Sequence, residues 1–244
     1  MIFSPITTIP LFLAMLLLLE TGRRLSARSS IKPNSTIDGA VFALFGLLLA
    51  FTFSGAIARY DTHRTLITQE ANNIGTAYLR LDLLPAAQQP ALRQLFRDYV
   101  TSRLNQYASP EANSVSPETT RLQNQIWTQT LSGASTQGAN PDATKLLLPA
   151  LNDMIDITST RQNAFNMHPP AIVYVLLFAL SCACALLAGL GMYSNSRNWL
   201  HMIAFAAVIA TTIYATLDIE YPRRGLIRLS SYDDVFVNLQ QSMK

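Results

Sequence analysis

The stretch of sequence that decides the fold is GLLLAFTFSGAIARYDTHRTLITQEANNIGTAYLRLDLLP, from Gly46 to Pro85. It begins as uncharged, apolar chain and becomes polar and charged from Arg59 onward, yet nothing in it breaks a helix before Pro85. We therefore predict one helix that leaves an apolar phase and continues for several turns into water. A helix that only anchors a protein in a membrane has no need of such an extension.

The apolar residues of the chain are concentrated in four uncharged runs. Of the 244 residues, 50% are hydrophobic and only 14% are charged, which is too apolar for an ordinary soluble domain. A helix needs roughly 20 apolar residues to cross the bilayer core, and each run is long enough, the first barely. The runs are residues 1–19, 39–58, 169–196 and 198–217. We predict an all-α integral membrane protein with four transmembrane helices in contact with the lipid bilayer.

The first run could also be a cleaved signal peptide, but its residues disfavour that interpretation. No Lys or Arg precedes Arg23, two prolines interrupt the run and Glu20 closes it, whereas a signal peptide has a basic start. A basic cluster follows, which we interpret as a loop flanking the membrane: Arg23, Arg24, Arg28 and Lys32. The net charge of +3 is too diffuse to predict a nucleic-acid partner.

Residues 59–168, between the second and third runs, show helical rather than strand periodicity. Two helix starts combine a capping side chain with proline at the first helical position, at Ser116-Pro117 and at Asn140-Pro141. One apolar stripe follows Pro85 and comprises Leu92, Leu95, Phe96, Tyr99, Val100 and Leu104. We predict an all-helical extramembrane layer built on extensions of the second and third transmembrane helices; whether its last helix continues through His168 is left open.

These patterns divide the chain into four parts. Transmembrane helices 1 and 2 occupy residues 1–58, the helical layer residues 59–168, transmembrane helices 3 and 4 residues 169–217, and a C-terminal tail residues 218–244. Within the tail, residues 232–241 are predicted to form a short amphipathic helix. Nearly equal numbers of basic residues flank the two sides of the membrane, so the positive-inside rule does not decide the orientation.

The chain lacks the motifs of common enzymes. It contains no HExxH, no GxSxG, no glycine-rich phosphate loop and no CxxC pair, so we expect neither an enzyme nor a cofactor. Cys182 and Cys184 point to different sides of a helix, which disfavours a disulfide or a metal site, and we expect them to pack as small apolar side chains. Asp218 and Glu220 could suggest an acid/base pair, but at i, i+2 they also diverge. We interpret them as a solvated helix end with acid near base. The three histidines are scattered: His63, His168 and His201.

The opening stretch resembles a known family. Phe51, Ser54, Arg59, Tyr60 and Arg64 form the pattern F-x-x-S-x-x-x-x-R-Y-x-x-x-R. It resembles the end of the second transmembrane helix in bestrophins. The continuation EANNIGTAYLRLDLLP is similar to a signature of bacterial bestrophin-like membrane proteins.

A second patch carries the same resemblance. Glu220, Pro222 and Gly225 are similar to the acid-x-Pro-Phe-Gly element that follows the last transmembrane helix of bestrophins, although Arg223 stands where the family has Phe. A dense acidic run helps animal bestrophins to bind calcium, and here only Asp233 and Asp234 are present. Calcium needs six to eight oxygen ligands, so we predict no metal site.

The resemblance implies a homopentameric ion channel in the bacterial inner membrane, whose second transmembrane helix lines the pore and whose helical layer lies in the cytosol. The neck aromatic of the family maps onto Phe51, and Leu47 and Ala43 lie on the same helix face, one and two turns earlier. Five copies would form an apolar ring able to gate small inorganic ions by dewetting. Such an apolar face is also expected of a membrane helix of any other function.

The predicted pore mouth or helix boundary consists of Ser54, Arg59, Tyr60, Arg64 and Glu70. Arg59 and Arg64 lie about 140° apart around a helix, so they cannot both face one ligand. As pore-side cations they would favour anions; as boundary residues, Arg59 reaches the membrane interface and Arg64 pairs with Asp61. Glu70 has no basic neighbour three or four positions away. Its ion-pair partner must therefore come from another helix or subunit, unless it faces water.

Two classes of function remain open at this point. The first is an oligomeric ion channel or passive pore with a hydrophobic neck. The second is a non-conducting membrane sensor or scaffold, because a helical bundle between two transmembrane helices also describes receptor input domains. A pentamer favours the first class and a dimer the second.

Overall fold

In the computed structural model, the residues described are 5–28, 34–108, 115–136, 140, 142–192, 198–222, 226–227 and 234–243. These residues form helices and no strand, which confirms the all-α prediction. Two short 3-10 helices span Pro5–Thr7 and Arg80–Leu83. The α-helices are α1 (Thr8–Arg28), α2 (Ser35–Leu79), α3 (Gln89–Ala108), α4 (Pro117–Ala134), α5 (Ala143–Asn166), α6 (Ala171–Gly191), α7 (Trp199–Glu220) and α8 (Asp234–Ser242).

The chain folds as two compact units. The membrane unit comprises Met1–Tyr60 and His168–Ile227, and the helical unit comprises Asp61–Met167 and Arg228–Lys244. Helix α2 contributes to both, because it continues without interruption from Ser35 to Leu79 before the 3-10 turn that precedes Pro85. The predicted long helix is thus confirmed, and its α-helical part ends at Leu79, before Pro85.

Three parts of the described chain contain helices long and apolar enough to cross a membrane: Ser35–Leu83, Ala143–Gly191 and Trp199–Glu220. They indicate an integral membrane protein, but the predicted count of four transmembrane helices is not confirmed. Helix α1 carries Glu20, Arg23 and Arg24, which limits its uncharged part to residues 8–19. At 1.5 Å per residue this part is about 18 Å long, against a hydrocarbon core of about 30 Å.

The basic cluster after the first apolar run is helical and not the loop that we predicted from sequence. Arg23 and Arg24 lie within α1, where the Glu20 carboxylate accepts hydrogen bonds from both guanidinium groups at 2.9 and 2.7 Å. Pairing at i, i+3 and i, i+4 is favourable on a helix and allows α1 to continue to Arg28. Lys32 lies outside the described residues.

Helices α1, α6 and α7 share the apolar core of the membrane unit. Leu19 of α1, Leu177 of α6 and Ile213 of α7 are fully buried there. Cys184 is also fully buried and Cys182 packs against the core, which agrees with their expected packing role. Helix α2 contributes Phe45 to the same core.

Two glycines allow α1 and α6 to approach closely. A Cβ atom at Gly22 would overlap the carbonyl oxygen of Leu186, and one at Gly189 would overlap the carbonyl oxygen of Leu19. Small residues at a helix crossing let the two backbones approach closely, which strengthens van der Waals packing. Such packing matters in a membrane, where burying apolar surface adds little to helix association. The α1–α6 contact therefore depends on glycine at both positions.

The helical unit is built largely as its sequence pattern predicts. Leu92, Phe96, Tyr99 and Val100 of the predicted α3 stripe are at most 1% exposed. The Ser116 hydroxyl accepts a hydrogen bond from the Thr119 backbone N–H at 3.0 Å, and Pro117 opens α4, so the first predicted helix start is confirmed.

The start of α5 differs from the prediction, and its end answers a question that the sequence left open. The predicted first helical residue, Pro141, lies outside the described residues. Asn140 accepts a hydrogen bond from the Asp142 backbone N–H, and α5 begins at Ala143. It ends at Asn166, and α6 starts anew at Ala171, so it does not continue through His168. A proline disfavours helical geometry in the residue before it and cannot donate a helical hydrogen bond. Both effects explain the break at the Pro169-Pro170 pair. The predicted tail helix is present as α8, whose Phe236 is fully buried.

Candidate functional site

Helix α2 presents an apolar face that the membrane unit itself does not cover. Leu47 is 53% and Phe51 is 68% exposed, and Ala43 is exposed as well. The opposite side of the helix is packed, since Phe45 and Ala56 are 6% and 1% exposed. The three residues predicted as a neck therefore lie on a surface that is free to meet lipid, water or another copy of the chain.

Within the helical unit, the exposed face of α2 is polar. Its exposed positions recur every three or four residues, as expected of one helix face. Five of them carry hydroxyl or amide side chains: Thr62, Thr65, Gln69, Asn72 and Thr76. Asp61 before them and Leu79 after them are exposed as well. Ser54, which lies near the end of the apolar segment of α2, is exposed too. The exposed side chains of α2 thus change from mainly apolar in the membrane unit to mainly polar in the helical unit.

The two short patches that carry the bestrophin resemblance meet in an ion pair. Arg59 of α2 donates from Nε and Nη2 to the carboxylate of Glu220 at the end of α7, with distances of 3.0, 2.9 and 2.6 Å. The Glu220 side chain is 1% exposed and that of Arg59 is 29% exposed. A bidentate guanidinium–carboxylate pair fixes direction as well as distance. It therefore holds the middle of α2, where its apolar segment ends, against the end of α7.

His168 completes this cluster. Its Nδ1 lies 3.0 Å from Glu220 Oε1, and its ring lies against that of Tyr221 with centroids 4.7 Å apart. The role of His168 could not be predicted from sequence, because its partner is 52 positions away. The only available signal was its place next to the Pro169-Pro170 pair at the start of a transmembrane run.

Asp218 takes different partners from Glu220, as the i, i+2 spacing predicts. Its carboxylate accepts hydrogen bonds from the backbone N–H groups of Leu226 and Ile227, the shortest at 2.8 Å. The interpretation of this helix end as solvated is wrong, since Asp218 is 1% and Glu220 is 3% exposed. Asp218 positions the chain that follows the last helix. Pro222 is buried, and Gly225 lies outside the described residues.

Glu70 lies at the centre of a buried ion-pair cluster in the helical unit. Its carboxylate accepts from Arg103 Nε of α3 at 2.6 Å and from Arg161 Nη1 of α5 at 2.5 Å. The three side chains are 0%, 3% and 2% exposed. Its partners thus come from other helices, one of the alternatives left open by the sequence. Burial directs Glu70 into the bundle, where it ties α2 to α3 and α5.

The two arginines of this cluster were missed by sequence analysis. Arg103 follows Tyr99 by four positions and so falls on the buried stripe of α3, and Arg161 follows Thr158 by three on α5. The sequence did contain a signal, because each arginine lies on a helix face that is otherwise buried. A buried charge requires a partner, so an ion pair could have been predicted there. Beside them, Gln123 donates to the Tyr99 hydroxyl and to the Thr158 hydroxyl at 3.2 Å each, and burial raises the pKa of Tyr99.

The remaining predicted boundary residues lie at the start of the helical unit. Arg64 pairs with Asp61 at 3.2 Å, as its i, i+3 spacing allows, and both side chains are well exposed. Tyr60 is partly exposed at the end of the membrane unit. Among the described residues, no group of three or more His, Cys, Asp or Glu side chains is arranged to hold a metal ion. Asp233 lies outside these residues, and Asp234 begins α8.

The fold is similar to that of bacterial bestrophin homologues. A crystal structure of a bestrophin homologue from Klebsiella pneumoniae, phased by Zn-SAD, superposes with a TM-score of 0.72 at 12% identity, covering 97% of this chain and 98% of that one. A mutant of the Klebsiella pneumoniae homologue gives 0.75 at 10% identity over 99% of both chains. A further mutant, described as a membrane protein, gives 0.76 at 10% identity, covering 97% and 98%.

Sequence comparison assigns the family independently of the fold. Comparison with curated proteins gave no match. A family comparison, however, matches residues 9–232 to the bestrophin-like domain. The matched region includes α2 with its arginines and Glu220 at the end of α7. Since this match covers nearly the whole chain, the protein belongs to the bestrophin-like family.

Proposed function

We propose that copies of this chain surround a common axis as an oligomeric ion channel or passive pore, lined by α2. The observation that carries the proposal is the uncovered apolar face of α2, where Leu47 and Phe51 are more than half exposed. Family membership supplies the second support, because the bestrophin resemblance implies a pentameric channel. Small inorganic ions are the proposed permeant species.

Ala43, Leu47 and Phe51 form the neck in this proposal. A ring of apolar side chains offers water and ions no hydrogen bonds or charges, so a narrow ring loses its water and blocks ions until it widens. Phe51 contributes the largest side chain and therefore the narrowest part. The neutral polar side chains that follow on α2 suit a water-filled vestibule, since hydroxyl and amide groups can replace part of the hydration shell of an ion.

Arg59 acts as a boundary and positioning residue in this proposal. Its guanidinium is engaged by the Glu220 carboxylate, which supports a role in holding α2 and does not support free pore-side charge. The cluster around Glu70 plays the corresponding part in the helical unit. Ser54, Tyr60 and Arg64 belong to the same boundary segment of α2.

We assign the protein to the bacterial inner membrane with the helical unit in the cytosol, by its resemblance to bestrophins. In a variant without Cys182 and Cys184, single cysteines at the exposed positions Asn105 and Thr128 test this orientation in intact cells. An impermeant maleimide should leave both unlabelled until the cells are opened. Labelling of either in intact cells would place the helical unit outside.

The channel itself is tested by recording from purified protein in planar bilayers. We expect ion currents in the wild type and a larger single-channel conductance for Phe51→Ala, which widens the neck. Val208→Ala is the matched control, because Val208 is 67% exposed on another transmembrane helix and should not affect conductance. Silence at every voltage and ion condition contradicts the proposal.

Particle symmetry provides the structural test. Images of the detergent-solubilised protein should show five-fold symmetry with α2 around the axis. A dimer without an axial passage would instead support the non-conducting sensor or scaffold.

A further inference from the structure

Five exposed positions along one side of α2 in the helical unit carry no formal charge. These are the neutral polar residues Thr62, Thr65, Gln69, Asn72 and Thr76, called the polar stripe below. Other helices of the same unit place charged side chains at exposed positions: Asp98, Glu118, Arg121, Lys145, Asp153 and Asp156. The stripe is therefore a distinct surface. Hydroxyl and amide groups both donate and accept hydrogen bonds, so the stripe by itself favours neither sign of ion.

The formal charges that α2 itself places beside the polar stripe belong to the Asp61–Arg64 pair. Asp61 lies four positions before Thr65, about 40° around the helix, whereas Arg64 immediately precedes Thr65 and points about 100° away. The Asp61 carboxylate is thus beside the stripe and the Arg64 guanidinium is at its flank. Their N···O distance is 3.2 Å, with side chains 59% and 42% exposed. In an exposed pair of this kind, water competes for both partners, so the two side chains hold each other only weakly. Each charge can therefore still act on a nearby ion.

The other formally charged residues of α2, whose whole length the structure describes, are less available to a permeating ion. Arg59 is held by Glu220, whose side chain is 1% exposed. Glu70 is fully buried between two arginines. Asp38 lies in the first turn of α2, in the membrane unit. Asp61 is the acidic residue of α2 whose side chain is exposed next to the polar stripe.

We propose that Asp61 determines the charge preference of the pore in favour of cations, and that Arg64 weakens this preference by pairing with it. The inference rests on the proposed channel function, in which α2 lines the conduit. A ring of carboxylates, one from each copy, raises the local cation concentration and lowers that of anions. Pairing with Arg64 reduces the effective charge of the ring, so the wild type discriminates only moderately.

Reversal potentials in asymmetric KCl, recorded from full-length protein in planar bilayers, test this assignment. Asp61→Asn should lower the K⁺ to Cl⁻ permeability ratio by about threefold or more. Arg64→Gln should raise the ratio, because it frees the carboxylate. Asp61→Glu keeps the charge and should keep the wild-type ratio.

The chain offers a matched control for these variants. Glu118 and Arg121 form an exposed i, i+3 pair on α4, with side chains 53% and 54% exposed, so Glu118→Gln removes the same charge from the same kind of pair. Its permeability ratio should equal that of the wild type. A conducting Asp61→Asn variant with the wild-type ratio overturns the inference and leaves the channel intact. An equal change in Glu118→Gln also overturns it, since the effect would then reflect total charge. A silent wild type refutes the channel and this inference together.

Discussion

Replacing Glu70 by glutamine should strongly destabilise the protein. Glutamine has nearly the same shape as glutamate, so the packing around residue 70 is preserved while its negative charge is lost. Arg103 and Arg161 then remain buried with side chains only 3% and 2% exposed. The glutamine amide has one acceptor oxygen and two N–H donors, and therefore cannot accept from both guanidinium groups in the present geometry.

The expected loss follows from these contacts. Each charge-assisted hydrogen bond contributes about 1.5–3 kcal/mol, and at least one of the two is lost. The second guanidinium group also loses the carboxylate that balanced its charge, and removing one partner of a buried ion pair typically costs about 3–5 kcal/mol in total. In a protein of this size, each kcal/mol lowers the unfolding midpoint by about 2–4 °C. Glu70→Gln should therefore lower the midpoint by roughly 6–20 °C.

The measurement is thermal unfolding of the purified protein in detergent, followed by circular dichroism. Glu118→Gln removes the same charge from an exposed ion pair in the first turn of α4 and serves as the control. Its midpoint should fall by much less, because such an exposed charge contributes little to stability. A triple variant, Glu70→Leu with Arg103→Met and Arg161→Met, should recover most of the loss, because apolar groups of similar volume replace all three charges. Unfolding of Glu70→Gln at the wild-type midpoint would refute the buried cluster.

Three further changes test the other contacts. Glu220→Gln should weaken the ion pair with Arg59 and make α2 more mobile around Arg59, which would be measured as faster backbone amide hydrogen exchange in that segment. An exchange rate equal to that of the wild type would contradict the positioning role. Gly189→Ala should destabilise the α1–α6 crossing, because its Cβ overlaps the backbone of α1, whereas Gly191→Ala in the same helix meets nothing within 4 Å and should be tolerated. Equal midpoints for the two alanine variants would argue against the close crossing. Ser116→Ala removes the cap of α4 and should cost about 1 kcal/mol, or about 2–4 °C in midpoint; an unchanged midpoint would mean that the cap contributes nothing.

Several features of the fold could be predicted from sequence because their causes are local. Helix α2 is uninterrupted because no proline occurs in it before Pro85. The start of α4 depends on the Ser116 cap and on Pro117, which are adjacent residues. The apolar stripe of α3 follows from helical periodicity. Where a helix end depends on longer context, prediction was less accurate, as at the start of α5, which differs from the prediction.

The count of transmembrane helices could not be settled in the same way. A run of apolar residues is visible in sequence, but the charges that α1 carries along its last turns are not part of that run. Sequence patterns predicted a loop at Arg23 and Arg24. Pairing with Glu20 instead keeps this segment helical, which depends on side-chain geometry that composition does not contain.

The sequence by itself determined the helices of this protein, its apolar segments and the short motifs of its family, because periodicity, caps and prolines act between neighbouring residues. Only the tertiary structure decided which charges pair. Arg59 and Glu220 are 161 positions apart, and Arg161 and Glu70 are 91 apart. No local pattern relates residues so distant in the chain, and burial, which makes these ion pairs necessary, exists only once the helices have packed.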